Sequence, residues 1–310
     1  MTLRYVADVG AVVESAPQFH SLEDNAMTTA TSTILATEQP ILHRTRGSSH
    51  GPITRLVSPG DLGEVLKPFI FLDRFESPAN GQAPRFGMHP HSGIATLTYL
   101  IEGSTHYEDT TGTEGARGLL PQGGVEWMMA GGGVWHRGGP ADHERVLGFQ
   151  LWVAMPPALE LAEAYSLYLD PAEVPQVGPA RVLLGSYGGA TCPIPAPSDM
   201  TYLGVHLKAG ETWHFELAQG HTVAWAAIGE GSLSAPDALR TGDLVVLATD
   251  GGPITLKAIT DTAFVVGSAV PHAQPLHMGS YSVHTNAQAL ALGEAGIRNR
   301  AQLLREQKRL

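Results

Sequence analysis

Cysteine is almost absent. Cys192 stands alone in a chain of 310 residues, so no intrachain disulfide can form and a fold held by cross-links is excluded. The default setting for such a chain is the cytoplasm. Charge is sparse as well, with Asp, Glu, Lys and Arg at 16% of the residues. It leans acidic: 19 Lys and Arg stand against 30 Asp and Glu, a formal net charge of −11. No basic stripe is present, so direct binding to nucleic acid has no electrostatic support. Long apolar runs are missing too, and none reaches the length of a membrane span. The N-terminus lacks the basic-then-apolar layout of a secretory signal. Neither nucleic acid nor a membrane is expected as a partner, and a monomer is expected.

Glycine and proline, by contrast, are abundant, at 36 and 22. They suit many short strands joined by tight turns. A hydrophobic fraction of 43% over this length is enough for one large or two ordinary domains. Residues 1–41 show no sustained period and read as a flexible N-terminal extension, within which Met27 is an alternative start. Beyond them, PFIFLDRFE (68–76) reads as a buried strand. IATLTYLIEGSTHYED (94–109) reads as a hairpin about a Glu-Gly turn. Further strands fall in 115–140, divided by glycines, and in RVLGFQLWVAMP (145–156). Residues 156–176 break the pattern; they are mildly helical, then proline-rich, and read as the connection between halves. Strands resume at RVLLGSYGG and continue to TAFVVGSAVP. The tail, 286–310, is helical.

In the second half, a strand, a GEG turn, a strand and RTGDLVVL echo the run from TYLIEGS to LLPQGGVEWM in the first. The echo predicts an all-β protein of two similar antiparallel units in tandem, of sandwich or jelly-roll barrel type. The expected division is 1–41 as extension, 42–160 as the first β domain and 161–310 as the second with its helical tail.

The motif with chemical content is MHPHSG. Residues i and i+2 of a strand share a face, and Pro90 favours extended geometry before it, so His89 and His91 project together. His136 follows 45 residues later in GGGVWHRGG, after a glycine-rich turn. Three imidazoles gathered inside a β unit suit a mononuclear divalent-metal site with open positions. His106, in STHYED, reads as a buried core histidine or as a pocket residue. His143, His206, His214 and His221 read as buried, hydrogen-bonded core histidines.

The run FGMHPHSGIATLTYLIEGSTHYEDTTGTEGARGLLPQGGVEWMMAGGGVWHRG resembles the first domain of the pirin family, in the cupin superfamily. The likeness rests on HPH followed by Gly, on YLxEG, on H-x-x-D, on the VEWMMAGGGVWH stretch and on QLWV, and extends over about residues 42–300. It implies a bicupin, two tandem cupin-type antiparallel β-barrels, with a short C-terminal helix. It implies one metal, usually iron, in the first barrel, held here by His89, His91 and His136. Quercetin 2,3-dioxygenase-like activity is implied by some members, and roles as transcriptional cofactors or partners of metabolic enzymes by others.

Two departures stand out. The family carries a glutamate ligand two residues after the third histidine, where this chain has Gly138. It also carries HPHRGxE, where this chain has Ser92 and Ala95 in place of Arg and Glu. Glu126, where pirins more often have Gln, reads first as a carboxylate turned toward solvent or a turn, and is otherwise a candidate to compensate. Two functions follow. One is a metal-dependent dioxygenase acting on a flavonol-like molecule, with Glu126 or His106 as candidate catalytic base. The alternative is a non-enzymatic binding or regulatory protein with a protein partner and weakened or lost metal binding.

Overall fold

A computed structural model describes residues 40–79, 86–112, 115–141 and 144–310. The extension up to residue 39, Met27 and His143 lie outside the described residues. Twelve strands form in the described chain up to residue 169. They are β1 (Ile41–Thr45), β2 (Ser48–His50), β3 (Ile53–Val57), β4 (Phe69–Ser77), β5 (Phe86–His91) and β6 (Ile94–Glu102). Then come β7 (Ser104–Asp109), β8 (Arg117–Pro121), β9 (Val125–Met129), β10 (Val134–Pro140), β11 (Val146–Ala154) and β12 (Tyr165–Leu169). A seven-stranded sheet runs β12-β9-β6-β11-β4-β3-β2, and a four-stranded sheet runs β5-β10-β7-β8. The second half repeats the plan with one eight-stranded and one four-stranded sheet. Each half is cupin-like, built from a large and a small antiparallel sheet rather than from one closed barrel.

Strand parity explains what each face does. Side chains alternate across a strand. On β6, Ala95, Leu97, Tyr99 and Ile101 enter the main apolar core; on β9, Val125, Trp127 and Met129 do; on β11, Leu147, Phe149, Leu151 and Val153 do. That core also takes Tyr202, Trp225 and Phe264 from the second half, so one face of the seven-stranded sheet is the junction between halves. The alternate residues, among them Thr98, Glu126 and Gln150, face the other way, into a cavity roofed by the small sheet.

Two local expectations are corrected. Residues 94–109 do not form a hairpin: β6 pairs with β9 and β11, whereas β7 pairs with β8 and β10. Gly103, between them at φ 79°, turns the chain from the large sheet into the small one. A Cβ there would meet the Arg145 carbonyl oxygen at 2.3 Å. The 156–176 stretch is not helical either. It begins with turns at 157–161 and then forms β12, whose pairing with β9 overrides a weak local preference.

The halves exchange elements. β1 leaves the first half and pairs with Leu244–Leu247 in the second, where Arg44 meets the buried Asp243 at 2.7 Å. Two helices are described, α1 (Leu62–Leu66) and α2 (Ala287–Glu306). Neither is long and apolar enough to cross a membrane. α2 follows the second half yet packs back on the first: Trp135 Nε1 donates to the Ile297 carbonyl at 3.0 Å. Close approach there needs glycine, since a Cβ on Gly296 would lie 1.9 Å from the Gly132 carbonyl oxygen.

This contact makes a discriminating prediction. Alanine normally improves a helix over glycine by about 1 kcal/mol. Gly296→Ala is expected instead to lower stability by about 1–3 kcal/mol through overpacking, measured by urea unfolding. Leu292→Ala on the exposed side of α2 is expected to change little.

Candidate metal centre

His89 and His91 lie on β5, and β10 places His136 directly opposite His89 in the ladder. Imidazole centroids are 4.3 Å apart for His89 and His136, 5.0 Å for His91 and His136, and 5.1 Å for His89 and His91. One nitrogen from each ring falls within a set spanning no more than 4.8 Å. His91 Nε2 and His136 Nε2 are 3.1 Å apart. Two nitrogens bound to one ion at about 2.1 Å, at roughly a right angle, have that same spacing.

Each β5 histidine has its other nitrogen engaged. His89 Nδ1 lies 2.8 Å from the Gly87 carbonyl oxygen and His91 Nδ1 lies 3.1 Å from that of Tyr281. As N–H donors to these carbonyls they leave both Nε2 lone pairs for a metal. Burial favours the neutral rings a metal requires. It holds His89 below the usual imidazole range, and His136 well below it. Burial, with the neighbouring His89 adding to it, brings His91 down to about 3. The donor set therefore fits a divalent cation, and three imidazoles alone leave further positions open.

The departures occupy defined places. Gly138 lies two residues beyond His136, but a register shift opposite β5 separates the two. Its φ is not left-handed, and an added Cβ would meet only the His106 carbonyl oxygen, at 3.2 Å. A side chain at 138 is thus sterically tolerable after a small adjustment. Ser92 and Ala95 are both fully buried.

Beneath the histidines is a cavity of about 100 Å³, on the order of the space one aromatic ring needs. Its lining at His106, Tyr107, Arg137, Gly138, Gly139 and Pro140 continues into an outer trough of about 640 Å³. A polar row crosses the large sheet: Arg55, Asp73, Gln150, Thr98, Glu126 and Tyr168 are successive register partners across six strands, and the four between its ends form the cavity floor. Glu126, expected first as a solvent-facing carboxylate, is buried at 6% exposure and lines the cavity. It does not join the candidate metal cluster, which among the described residues consists of the three histidines. Asp109, opposite His136 on β7, accepts hydrogen bonds from Tyr168 Oη, Ser166 Oγ and Thr111 Oγ1 and so ties the two sheets together.

The other histidines divide. His106 is exposed, on the wall of cavity and trough, and is not a core residue. His221 is buried and hydrogen-bonded to Ser268 and Asp199, as expected, but His206 and His214 are exposed. Sequence reading missed Asp73, Thr98, Gln150 and Tyr281. The first three carried a signal: polar residues at alternate positions of otherwise apolar strands. Tyr281, 190 residues from its histidine partner, carried none.

Comparison with known proteins agrees with this geometry. The family model for pirin matches residues 52–153. A Pseudomonas aeruginosa protein named "Putative quercetin 2,3-dioxygenase" is 31% identical over 242 residues, covering 73% of this chain and 82% of its own. A "Pirin-like protein" of Caulobacter vibrioides is 30% identical, covering 72% of this chain and 83% of its own. Among solved structures, a quercetin 2,3-dioxygenase from Acinetobacter baumannii superposes with a TM-score of 0.75 at 23% identity, covering 86% of this chain and 98% of its own. From the three placed histidines, the shared fold and these relatives, the chain belongs to the pirin family.

Proposed function

We propose that the protein is a metal-dependent dioxygenase of the quercetin 2,3-dioxygenase type, with iron held by His89, His91 and His136 and a flavonol-like phenol in the cavity beside them. The observation that carries this reading is one cavity lined by both metal-ready imidazoles and a buried carboxyl. The name of the Pseudomonas relative supports the reaction class. A bound divalent ion would supply a Lewis acid for an enol oxygen and a centre for dioxygen chemistry. The division in this proposal is 42–160 as the metal-bearing domain and 161–310 as the second, which lends β12 and α2 to the first, in a cytoplasmic monomer.

The chain's own part is proton handling and orientation. Burial, reinforced by the Asp109 carboxylate, pushes the Glu126 carboxyl up to about 7. Near neutral pH it is therefore poised between its two forms and can accept a hydroxyl proton, as a general base requires. Thr98 and Gln150, its neighbours along the polar row, offer hydrogen bonds to further hydroxyls of a polyphenol. His106, at the mouth, is the second candidate base, reaching the trough rather than the floor. Gly138 leaves a position that a carboxylate would fill, so the complex carries one more unit of positive charge and favours anionic oxygens.

Gly138 also favours the second reading, a binding or regulatory protein that holds metal weakly and acts through a protein partner. One set of measurements separates the two. The purified protein is expected to carry close to one metal ion by elemental analysis, and iron-loaded protein is expected to consume dioxygen with quercetin. Metal uptake without turnover would leave the regulatory reading. Gly138→Glu is expected to tighten manganese binding in calorimetry by about 1–3 kcal/mol, because an anionic oxygen replaces water beside the ion. Unchanged affinity in a normally folded variant would show that the coordination sphere was not short of a ligand.

Glu126 gives a test with a defined sign. Its carboxyl ionises near 4.5 in the unfolded chain and at about 7 in the folded one. The stability it contributes is full below pH 4.5 and is lost as pH rises through 7, because the unfolded state releases its proton first. Glu126→Gln is thus expected to be more stable than wild type at pH 8, by up to about 3 kcal/mol, and equal to it at pH 4. Urea unfolding at the two pH values measures this. The same variant is expected to lose turnover and, with it, the rise in rate as pH approaches 7.

A further inference from the structure

Beyond His91 lies a second polar cluster, fully enclosed. Ser92 Oγ is 3.0 Å from His284 Nε2 and 3.0 Å from Ser282 Oγ. His284 Nδ1 is 3.1 Å from Glu160 Oε2. The Glu160 carboxylate also accepts from the Thr285 backbone N–H and hydroxyl, at 2.7 Å each. In outline this is the hydroxyl, imidazole and carboxylate order of a nucleophilic hydrolase. Burial rules that chemistry out, since Ser92, His284 and Glu160 are 0%, 2% and 2% exposed. α2 closes over them: a Cβ on Gly293 would lie 2.3 Å from His284 Nε2 and 2.5 Å from Ser92 Oγ.

The cluster instead touches the strand that carries the metal ligands. Ser92 directly follows His91, and its carbonyl accepts from the Val283 N–H at 3.3 Å. Ser92 and Ser282 form a parallel bridge. One residue earlier, Tyr281 gives its carbonyl to His91 Nδ1. Tyr281 does so at φ 62°, a left-handed conformation that a non-glycine residue keeps only when its surroundings hold it. The hold is visible on both sides. Ser280 N–H donates to Glu294 Oε1 at 3.3 Å, and residues 282–285 are pinned by Ser92 and Glu160. Glu160 stands on the 157–161 turns, remote in sequence from every histidine involved.

We infer that Ser92, His284 and Glu160 are positioning residues that lock segment 280–285, so that the Tyr281 carbonyl fixes the orientation and tautomer of His91. The inference rests on the three-histidine metal reading given above. Partners of metal-bound histidines generally change affinity by about 10–100-fold when removed. This chain draws that partner from the segment that leads into its C-terminal helix.

The test uses the full chain, metal-free and then titrated with Co(II), whose visible spectrum reports ligand geometry. Ser92→Ala and Glu160→Ala are expected to weaken Co(II) binding about tenfold and to alter the spectrum. Glu160→Gln keeps an oxygen for Thr285 and is expected to recover most of the loss. A brace serving stability alone would lower the melting temperature but move neither readout. In the metal-free protein, nitrogen-15 spectra of the imidazoles are expected to show the Nδ1–H tautomer at His91, lost in Ser92→Ala. Folded Ser92→Ala and Glu160→Ala with wild-type cobalt affinity, spectrum and tautomer would overturn the inference. Should Glu160→Ala not fold, Ser92→Ala decides. Wild-type protein that takes up no cobalt defeats the metal reading, and the tautomer measurement then decides the positioning of His91 alone.

Discussion

A polar side chain on a sheet covered on both sides has to find a partner or a ligand, because an unpaired buried group costs about 1–3 kcal/mol. The seven-stranded sheet is in that position. One face makes the junction with the second half, and the other looks into the cavity. The row from Arg55 to Tyr168 is therefore not surface polarity that happened to be enclosed. Its ends are paired, Arg55 with Asp73 and Tyr168 with Asp109, while its middle, Gln150, Thr98 and Glu126, is presented to whatever enters.

The small sheet answers with the opposite chemistry. Its strands bring three imidazoles into surroundings that disfavour their protonation, so the site is supplied with lone pairs rather than with charge. Facing them, the same low-polarity surroundings keep the Glu126 carboxyl protonated to a higher pH than usual. One physical cause, loss of hydration, thus acts in opposite chemical directions on the two walls of a single cavity. A carboxylate at position 138 would oppose the first effect, by favouring imidazolium beside it, and would reinforce the second, as Asp109 already does.

Much of this was legible in the sequence, for reasons that can be named. The i, i+2 spacing of His89 and His91 forces them to one face, and the strand parity of VEWMM puts Glu126 opposite Val125 and Trp127. What parity leaves open is whether the polar face meets solvent or a second sheet, and so Glu126 was first expected outside. The 94–109 run failed as a hairpin because nothing local says that Gly103 passes the chain between sheets. The role of Tyr281 was illegible: a backbone carbonyl accepts the same hydrogen bond whatever its side chain, and its partner is 190 residues away. His206 and His214 show the converse error, since a histidine in a β-rich stretch sits outside as readily as inside.

The exchange of β1 and α2 between halves has a consequence in the order of synthesis. Every strand of the first two sheets has been synthesised by residue 169. The carbonyl that His91 Nδ1 meets and the helix that closes over Ser92 come only with residues 281–306. A nascent chain therefore presents three histidines long before it presents the site. On the proposed metal reading, loading waits on completion: a chain stalled in its second half has the three histidines but not the segment that supplies the partner of His91.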